Sequence, residues 1–347
     1  MFKSNEGKCV EKPETVPIRI MSNEDSHINN IWPIGGGKGG SGKTFLTGSL
    51  GLLLARQGLN TLLIDADLGS ANLHTIIGVD HPGRTLSDFV HRRVDRLEDV
   101  VTKTPVPGLS FISGAGDNLD MANLIHSQKM RLLRAISRLP YEHVLLDLGA
   151  GTSFNTIDFF LIAGTGIFVT TPEPTSIENV YRLIRSVYFR KIRQVLRDAS
   201  FRELLQEAAL RSNGSTAKNP EDLFRILKAC DPVQGGRVEE SLRAFRFKLV
   251  LNQLRKQDNP QIGNLICRIC EKHLGIRVCF LGNILHDDRV HDSVCRRVNF
   301  LDKYPYTQTA TDLREFCNRF LAHRQEPLPL ETSLGKREDT TRMPAHF

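Results

Sequence analysis

The sequence predicts an α/β fold with a mostly parallel, twisted sheet that helices cover on both faces. Short apolar runs alternate with amphipathic stretches, a pattern typical of buried parallel strands joined by helices. A glycine-rich loop follows the first apolar run and precedes the first helical stretch. The strand-like runs are residues 31–34, 61–64, 109–112, 143–146, 167–170, 247–251 and 278–281.

Helices are expected between these strands, among them residues 44–57 and 127–139. The alternation stops between about residues 188 and 245, where the pattern is helical without a strand-like run, so we expect a helical insertion there. A last helix is expected at residues 311–323. Its apolar face would carry Leu313, Phe316, Phe320 and Leu321.

Both ends of the chain are polar and lack apolar periodicity. We expect residues 1–28 and 325–347 to be disordered tails around one domain at 29–324. The chain has 347 residues, a net charge of +7 and seven cysteines, which does not suggest a disulfide scaffold. It contains no run of about 18 apolar residues and no apolar leader, so we expect a cytoplasmic protein.

The glycine-rich loop has the Walker A spacing, in which a glycine is followed after four residues by Gly-Lys-Thr. Such a loop points backbone N–H groups into one concavity, and the next helix adds the positive end of its dipole. We expect Lys43 to reach the β- and γ-phosphates of a nucleotide and the Thr44 hydroxyl to bind Mg²⁺. The loop consists of Gly37, Lys38, Gly39, Gly40, Ser41, Gly42, Lys43 and Thr44.

Carboxylates follow two of the apolar runs. Asp65 and Asp67 stand two apart at the end of one strand, where one could orient a water molecule and the other support Mg²⁺. Asp147 ends another strand and has the form of a Walker B aspartate, holding Mg²⁺ through water. The Gly149 N–H could sense the γ-phosphate. Together with the loop, these residues predict a P-loop NTPase that hydrolyses its nucleotide.

These three segments together resemble the MinD/ParA family of deviant Walker A ATPases. The resemblance implies ATP and Mg²⁺ as ligands and a homodimer that sandwiches ATP between its subunits. Lys38 matches the family's signature lysine, which reaches the partner's nucleotide, and Asp67 matches its water-positioning aspartate, with Asp65 as the neighbour in switch I. Asn72 matches a position at the dimer interface.

Two later segments extend the resemblance, which runs from about residue 31 to 323 outside the insertion. Glu173, in the segment after the strand at 167–170, would approach the partner's nucleotide. Asn252 resembles the strand-end asparagine that recognises adenine. The catalytic set is therefore Lys38, Lys43 and Asp67, and the metal set is Thr44, Asp65 and Asp147.

Within the family, the sequence around Asp65, Asp147 and Glu173 is most similar to that of the flagellar-number ATPases of the FlhG (FleN) type. This implies a slow, partner-stimulated switch that controls the placement or number of a cellular structure such as flagella. The partner would be a flagellar GTPase or a basal-body component, and the inner membrane surface a site of reversible attachment. Two features depart from that type: the N-terminus lacks an activation box, and the helical insertion is long.

Other functions stay open at this point. The basic stretch at 181–211 and the pI of about 9.1 would also suit a ParA-like partitioning ATPase that binds DNA. Cys267 and Cys270 would suit an iron–sulfur cluster carrier, but the proline of the carriers' motif is missing, so we favour buried thiols on an amphipathic helix. A scaffold without catalysis is disfavoured, because each hydrolytic position carries a competent residue.

Overall fold

A computed structural model describes residues 30–67, 71–79, 83–114, 126–196, 203, 226–229 and 231–323. The predicted tails, half of the predicted insertion and residues 68–70 lie outside these ranges. Within them, the chain forms an eight-stranded sheet of order β3-β4-β2-β5-β1-β6-β7-β8. The strands are β1 Ile31–Gly35, β2 Thr61–Ala66, β3 Thr102–Lys103, β4 Leu109–Ile112, β5 His143–Leu148, β6 Thr165–Thr170, β7 Arg246–Leu254 and β8 Val278–Leu285.

Every strand pair is parallel except β3 with β4, which is antiparallel at one edge. All seven predicted strands are present. The parallel strands read as continuous apolar runs because helices bury them from both sides. The sequence did not predict β3, since a strand of two residues is too short to show a period.

Helices lie on both faces of the sheet. The elements are α1 Lys43–Arg56, α2 Leu73–Ile77, α3 Leu86–Val90, α4 His126–Ile136, α5 Phe154–Ala163, α6 Pro174–Val195, α7 Pro232–Arg243, α8 Ile262–Leu274, α9 Asp288–Cys295, α10 Phe300–Lys303 and α11 Gln308–Ala322. One core packs α4 to α8 against the sheet, and a second core packs α1, α10 and α11 against the other face. The predicted α/β fold with a covered, mostly parallel sheet is therefore confirmed.

Helix α11 packs as its apolar stripe predicts. Leu313, Phe316 and Phe320 are buried, and Leu321 is half-buried at the edge of the same core. The helix begins at Gln308, three residues before the predicted start, because the side chain of Thr307 accepts a hydrogen bond from the Ala310 N–H and caps it.

No helix boundary lies at residue 188, where the predicted insertion starts. Helix α6 runs from Pro174 to Val195 without interruption, so residues 188–195 continue it. Tyr188 and Ile192 are buried in the same core as Val187. After the undescribed part, α7 leads back to β7, which begins at Arg246.

Candidate nucleotide site at the carboxyl edge of the sheet

The phosphate loop connects the end of β1 to the start of α1, at the carboxyl edge of the sheet. Gly40 and Gly42 have φ angles of 77° and 85°, in the left-handed region that glycine adopts without strain. Gly42 is the N-cap of α1, and no side chain caps that helix. The amide groups at the start of α1 therefore remain open to an anionic ligand.

Ser41 lies inside this loop and is buried, with 2% of its surface exposed. Its Oγ atom has no hydrogen-bond partner among the described residues. A buried polar atom without a partner is costly, and a ligand atom in hydrogen-bonding range would remove that cost. The unpartnered Ser41 Oγ therefore supports phosphate binding by the loop, independently of the spacing of its glycines and lysine.

Lys43 is the buried cation of the loop. Within the described ranges, its Nζ donates only a long hydrogen bond, 3.5 Å, to the carbonyl oxygen of Lys38. Burial lowers the pKa of Lys43, and the charges of Asp147 and Asp67 partly oppose this effect. An ammonium group that is desolvated and weakly bonded favours binding of an anion, in keeping with the predicted contact of Lys43 with the β- and γ-phosphates.

Asp147 is buried at the end of β5 and meets the first turn of α1. Thr47 Oγ1 donates a hydrogen bond of 3.2 Å to its Oδ1, and Thr44 also hydrogen-bonds to the carboxylate. Burial raises the pKa of Asp147 to about 7, while Thr44 and Lys43 act to lower it. The structure therefore brings together Thr44 and Asp147, two of the three predicted Mg²⁺ ligands.

Asp65 is the third predicted ligand and is a register partner of Asp147 on neighbouring strands. Burial and the charge of Asp147 raise the pKa of Asp65 to about 8. Its Oδ2 accepts the Leu73 N–H at 2.9 Å, and its Oδ1 accepts the Asp67 N–H at 3.3 Å. Asp65 thereby fixes both ends of the segment between β2 and α2, a role that the sequence did not predict.

A divalent cation would find few protein ligands at this site. Across the described ranges, no three His, Cys, Asp or Glu side chains are grouped to hold a metal. Mg²⁺ commonly binds through one or two protein oxygens and completes its shell with water and substrate phosphates. The Thr44 hydroxyl and the Asp147 carboxylate fit that donor set, with nucleotide oxygens supplying the rest.

The segments after β2 and β5 approach each other closely. A Cβ atom at Gly149 would lie only 3.1 Å from Asp67 Oδ1, so a larger residue there would displace the carboxylate. Asp67 also contributes to the electrostatic field at Lys43. The predicted water-positioning residue and the predicted γ-phosphate sensor therefore lie side by side at the nucleotide edge.

Lys38, the second lysine of the loop, is exposed. Its Nζ forms an ion pair of 2.6 Å with Oε2 of Glu173, which immediately precedes α6. The side chains are 45% and 59% exposed, so solvent screens the pair. The sequence resemblance assigned both residues to the partner's nucleotide; within one chain, they bind each other.

The end of β7 contacts the loop from the other side. Asn252 Nδ2 donates to the Ser41 carbonyl at 2.9 Å, and Gln253 Nε2 donates to the Gly40 carbonyl at the same distance. A Cβ atom at Gly42 would lie 2.1 Å from Asn252 Nδ2, so the glycine makes room for this contact. Sequence reasoning found Asn252 and missed Gln253.

A cavity of about 440 Å³ opens at the end of β8, the strand next to β7. Because neighbouring parallel strands end at one edge of the sheet, this cavity lies on the same edge as the phosphate loop. It is lined by Leu285, His286, Asp287, Asp288, Arg289, Gln308 and Thr309.

The model of the CobQ/CobB/MinD/ParA nucleotide binding domain matches residues 33–300, which is most of the chain. The chain belongs to this family. The predicted relation to MinD/ParA proteins is thus confirmed, and the described loop, Asp65 and Asp147 lie inside the matched range.

Curated relatives include the antiactivator FleN of Pseudomonas aeruginosa, which is 34% identical over 161 residues, 46% of this chain and 56% of that protein. The septum site-determining protein MinD of Synechocystis is 30% identical over 164 residues, 45% of this chain and 59% of that protein. The chain therefore spans a little over half of the length of these relatives.

Solved structures of similar fold include the cell division ATPase MinD of Pyrococcus furiosus, with a TM-score of 0.59 and 19% identity, covering 85% of this chain and 99% of that one. The MinD protein of Pyrococcus horikoshii, complexed with Mg-ADP, has a TM-score of 0.58 and 20% identity. The match covers 84% of this chain and 97% of that one. At these identities, the likeness establishes the fold.

The two cysteines of the alternative metal site lie on α8 in this family fold. Cys270 is fully buried in the core and Cys267 is half-buried. Burial raises the pKa of each thiol to about 12, which disfavours the thiolate that a metal would require. The geometry therefore favours packing over ligation for both residues.

The described part of the basic stretch lies on α6, where Arg182 pairs with Glu178 and Arg190 pairs with the buried Asp158. These acidic partners neutralise part of the positive charge that the sequence presents. Among the described residues, no helix is both long and apolar enough to cross a membrane.

Proposed function

We propose that this protein is an ATP-hydrolysing switch of the MinD type, which dimerises with ATP held between its subunits. The observation that carries the proposal is the incomplete bonding of the phosphate loop, where buried Lys43 and Ser41 lack the partners that a polyphosphate would supply. The bound nucleotide supplies those partners.

Binding places the triphosphate along the loop, with Lys43 against the β- and γ-phosphates. Thr44 and Asp147 would hold Mg²⁺, which would neutralise charge on the phosphates. Asn252 lies near the end of β7, and the cavity at the end of the neighbouring strand β8 offers room for the base. These steps use the polar groups that the fold has already gathered at one edge of the sheet.

Hydrolysis depends on the pair of segments that meet at Gly149. Asp67 orients the attacking water, and the Gly149 N–H contacts the γ-phosphate. Because the two segments are in contact, loss of the γ-phosphate displaces both at once. The outcome is a timed change in partner binding, and turnover is slow until a partner stimulates it.

Dimerisation requires the side chain of Lys38 to break its ion pair within its own chain. In the single chain Lys38 pairs with Glu173, and both side chains are exposed enough to exchange partners at low cost. In the dimer, each Lys38 reaches the nucleotide of the other subunit. The exposed ion pair thus represents the resting arrangement of the switch.

The similarity to FleN supports a flagellar role, in which the protein limits flagellar number or placement with a flagellar GTPase or basal-body component as its partner. The proposed location is the cytoplasm, with reversible attachment to the inner membrane surface. Deletion of the gene tests this role: flagellar counts by electron microscopy should change, and unchanged counts would contradict it.

The switch is tested by light scattering after size-exclusion chromatography. In an Asp67→Ala background, which blocks hydrolysis, ATP should convert the monomer to a dimer. Adding Lys38→Ala should abolish the dimer and preserve ATP binding, whereas Lys43→Ala should abolish both. Lys272→Ala, at an exposed lysine of α8, serves as the control and should dimerise normally. A Lys38→Ala variant that still dimerises would overturn the sandwich.

A further inference from the structure

Two consecutive side-chain amides at the end of β7 hold two consecutive carbonyls of the phosphate loop. Asn252 donates to Ser41 O and Gln253 donates to Gly40 O, both at 2.9 Å. Side chains that follow each other along an extended strand point to opposite faces, so ordinary strand geometry would direct only one of them at the loop.

The backbone of Gln253 resolves this conflict. Its φ angle is +58°, in the left-handed region, and the pairing of β7 with β8 is irregular between Leu251 and Leu254. The strand is therefore distorted at the two residues that contact the loop. The turn in the backbone directs the second amide to the same side as the first.

This conformation is unfavourable for a residue with a Cβ atom, and Gln253 is placed unlike the other examples. Among the described residues, the only other non-glycine positive φ angles are at Arg92 and Arg297. Each follows the C-cap of a helix, where a left-handed residue commonly ends the helix. Gln253 lies within a strand, so helix termination does not account for its backbone.

The two hydrogen bonds fix the direction of the loop's N–H groups. A peptide unit is planar and trans, so its C=O and N–H point in opposite directions. When the Gly40 and Ser41 carbonyls are held toward β7, the N–H groups of Ser41 and Gly42 point away from β7. N–H groups arranged in this way form a cradle for phosphate.

We propose that Gln253 is a positioning residue for the phosphate loop: its strained backbone is retained because its side-chain amide pins the Gly40 carbonyl and so presets the N–H groups that bind phosphate. This proposal rests on the proposed ATP-binding function. It predicts that a substitution which relieves the strain and removes the amide leaves the fold intact and weakens nucleotide binding. Replacing a purely structural residue would not produce this combination.

The test uses two variants of Gln253 and one control. Gln253→Gly accepts the left-handed backbone without strain and removes the amide; Gln253→Glu keeps the side-chain length and replaces the donor with a carboxylate. Arg297→Gly relieves the same backbone strain at the end of α9. Titration calorimetry measures Kd for ATP and for inorganic pyrophosphate, and thermal unfolding measures Tm.

Both glycine variants should keep or raise the wild-type Tm. Only Gln253→Gly should lose affinity, by about 3- to 10-fold for ATP and for pyrophosphate alike, the range of a single hydrogen bond. Gln253→Glu should lose at least as much. ATP affinity of Gln253→Gly within about twofold of wild type, or a lower Tm accompanying the lost affinity, would overturn the proposal. Wild-type protein that fails to bind ATP would overturn the proposed function as well.

Discussion

Two buried lysines lie at opposite edges of the sheet and are satisfied in different ways. Lys248, 3% exposed near the start of β7, donates to the His323 carbonyl at 3.1 Å and lies 5.4 Å from the centre of the Trp32 ring. Lys43, 7% exposed at the start of α1, has as described partners only the long bond to Lys38 O and the more distant charges of Asp147 and Asp67.

The difference separates a charge that is buried for structure from one that is buried for a ligand. Lys248 caps the carboxyl end of α11 and rests on aromatic rings, so its partners belong to the fold. Lys43 has no close acceptor among the described residues, and the anion of the proposed function would offset the cost of burying its charge. Equal burial therefore does not imply equal roles.

The largest expected effect comes from exchanging each lysine for methionine. Lys43→Met should weaken ATP binding by at least about 100-fold while the free energy of unfolding stays equal or rises, because a poorly bonded charge is removed. Lys248→Met should lower the free energy of unfolding by about 2 kcal/mol, since the His323 carbonyl loses its donor, with ATP affinity within about twofold. Calorimetry measures the ATP affinity and urea denaturation the free energy of unfolding. The same changes in both quantities for the two variants would contradict the distinction between the two lysines.

An intermediate effect is expected from pH, and it arises at the nucleotide edge. Folding raises the pKa of Asp65 to about 8 and that of Asp147 to about 7, mainly through burial. Each carboxyl binds its proton more tightly in the folded state, so its stabilising contribution is fully present below about pH 4 and is lost as the pH rises to its folded pKa. Nucleotide-free protein should lose at most about 1.4 kcal/mol per pH unit for each group across that range.

Urea denaturation at a series of pH values measures this slope. Asp147→Asn should flatten part of it, because the variant has one carboxyl fewer to ionise. ADP with Mg²⁺ should flatten it further, since bound cation favours the ionised carboxylates. A nucleotide-free protein whose stability does not change between pH 5 and pH 8, a range of about 3 units, would contradict the assignment.

The smallest effect is expected at the exposed ion pair. Glu173→Gln should change the free energy of unfolding by less than about 0.5 kcal/mol, because solvent screens its contact with Lys38. It frees Lys38, so ATP-dependent dimerisation should strengthen by at most about threefold. Glu178→Gln, which breaks a similarly exposed pair with Arg182, is the control. A loss of more than about 1 kcal/mol specific to Glu173 would mean that the pair supports the fold.

The parts of the site that the sequence predicts are those that depend on short runs of consecutive residues. The loop spacing around Lys43 and the strand-end position of Asp147 have local signatures, because each depends on a strand that ends and a turn that follows. Gln253 has no such signature. Its contact with Gly40 depends on one left-handed backbone angle in a distorted strand, which a sequence period does not express.

The role of Asp65 shows the same limit. Its position after an apolar strand predicted a carboxylate at the nucleotide edge, and the structure places it there. Its hydrogen bonds to the N–H groups of Asp67 and Leu73 required the fold, since they span a loop whose path the sequence leaves open.

The sequence by itself determined the α/β fold, the positions of seven strands along the chain and the candidate residues for a nucleotide site, because hydrophobic period and loop spacing are local properties. The tertiary structure alone decided which charged side chains, exposed or buried, already have partners. Pairings such as Lys38 with Glu173 and Lys248 with His323 join residues far apart in the chain, and only the packing of the sheet brings them within bonding distance.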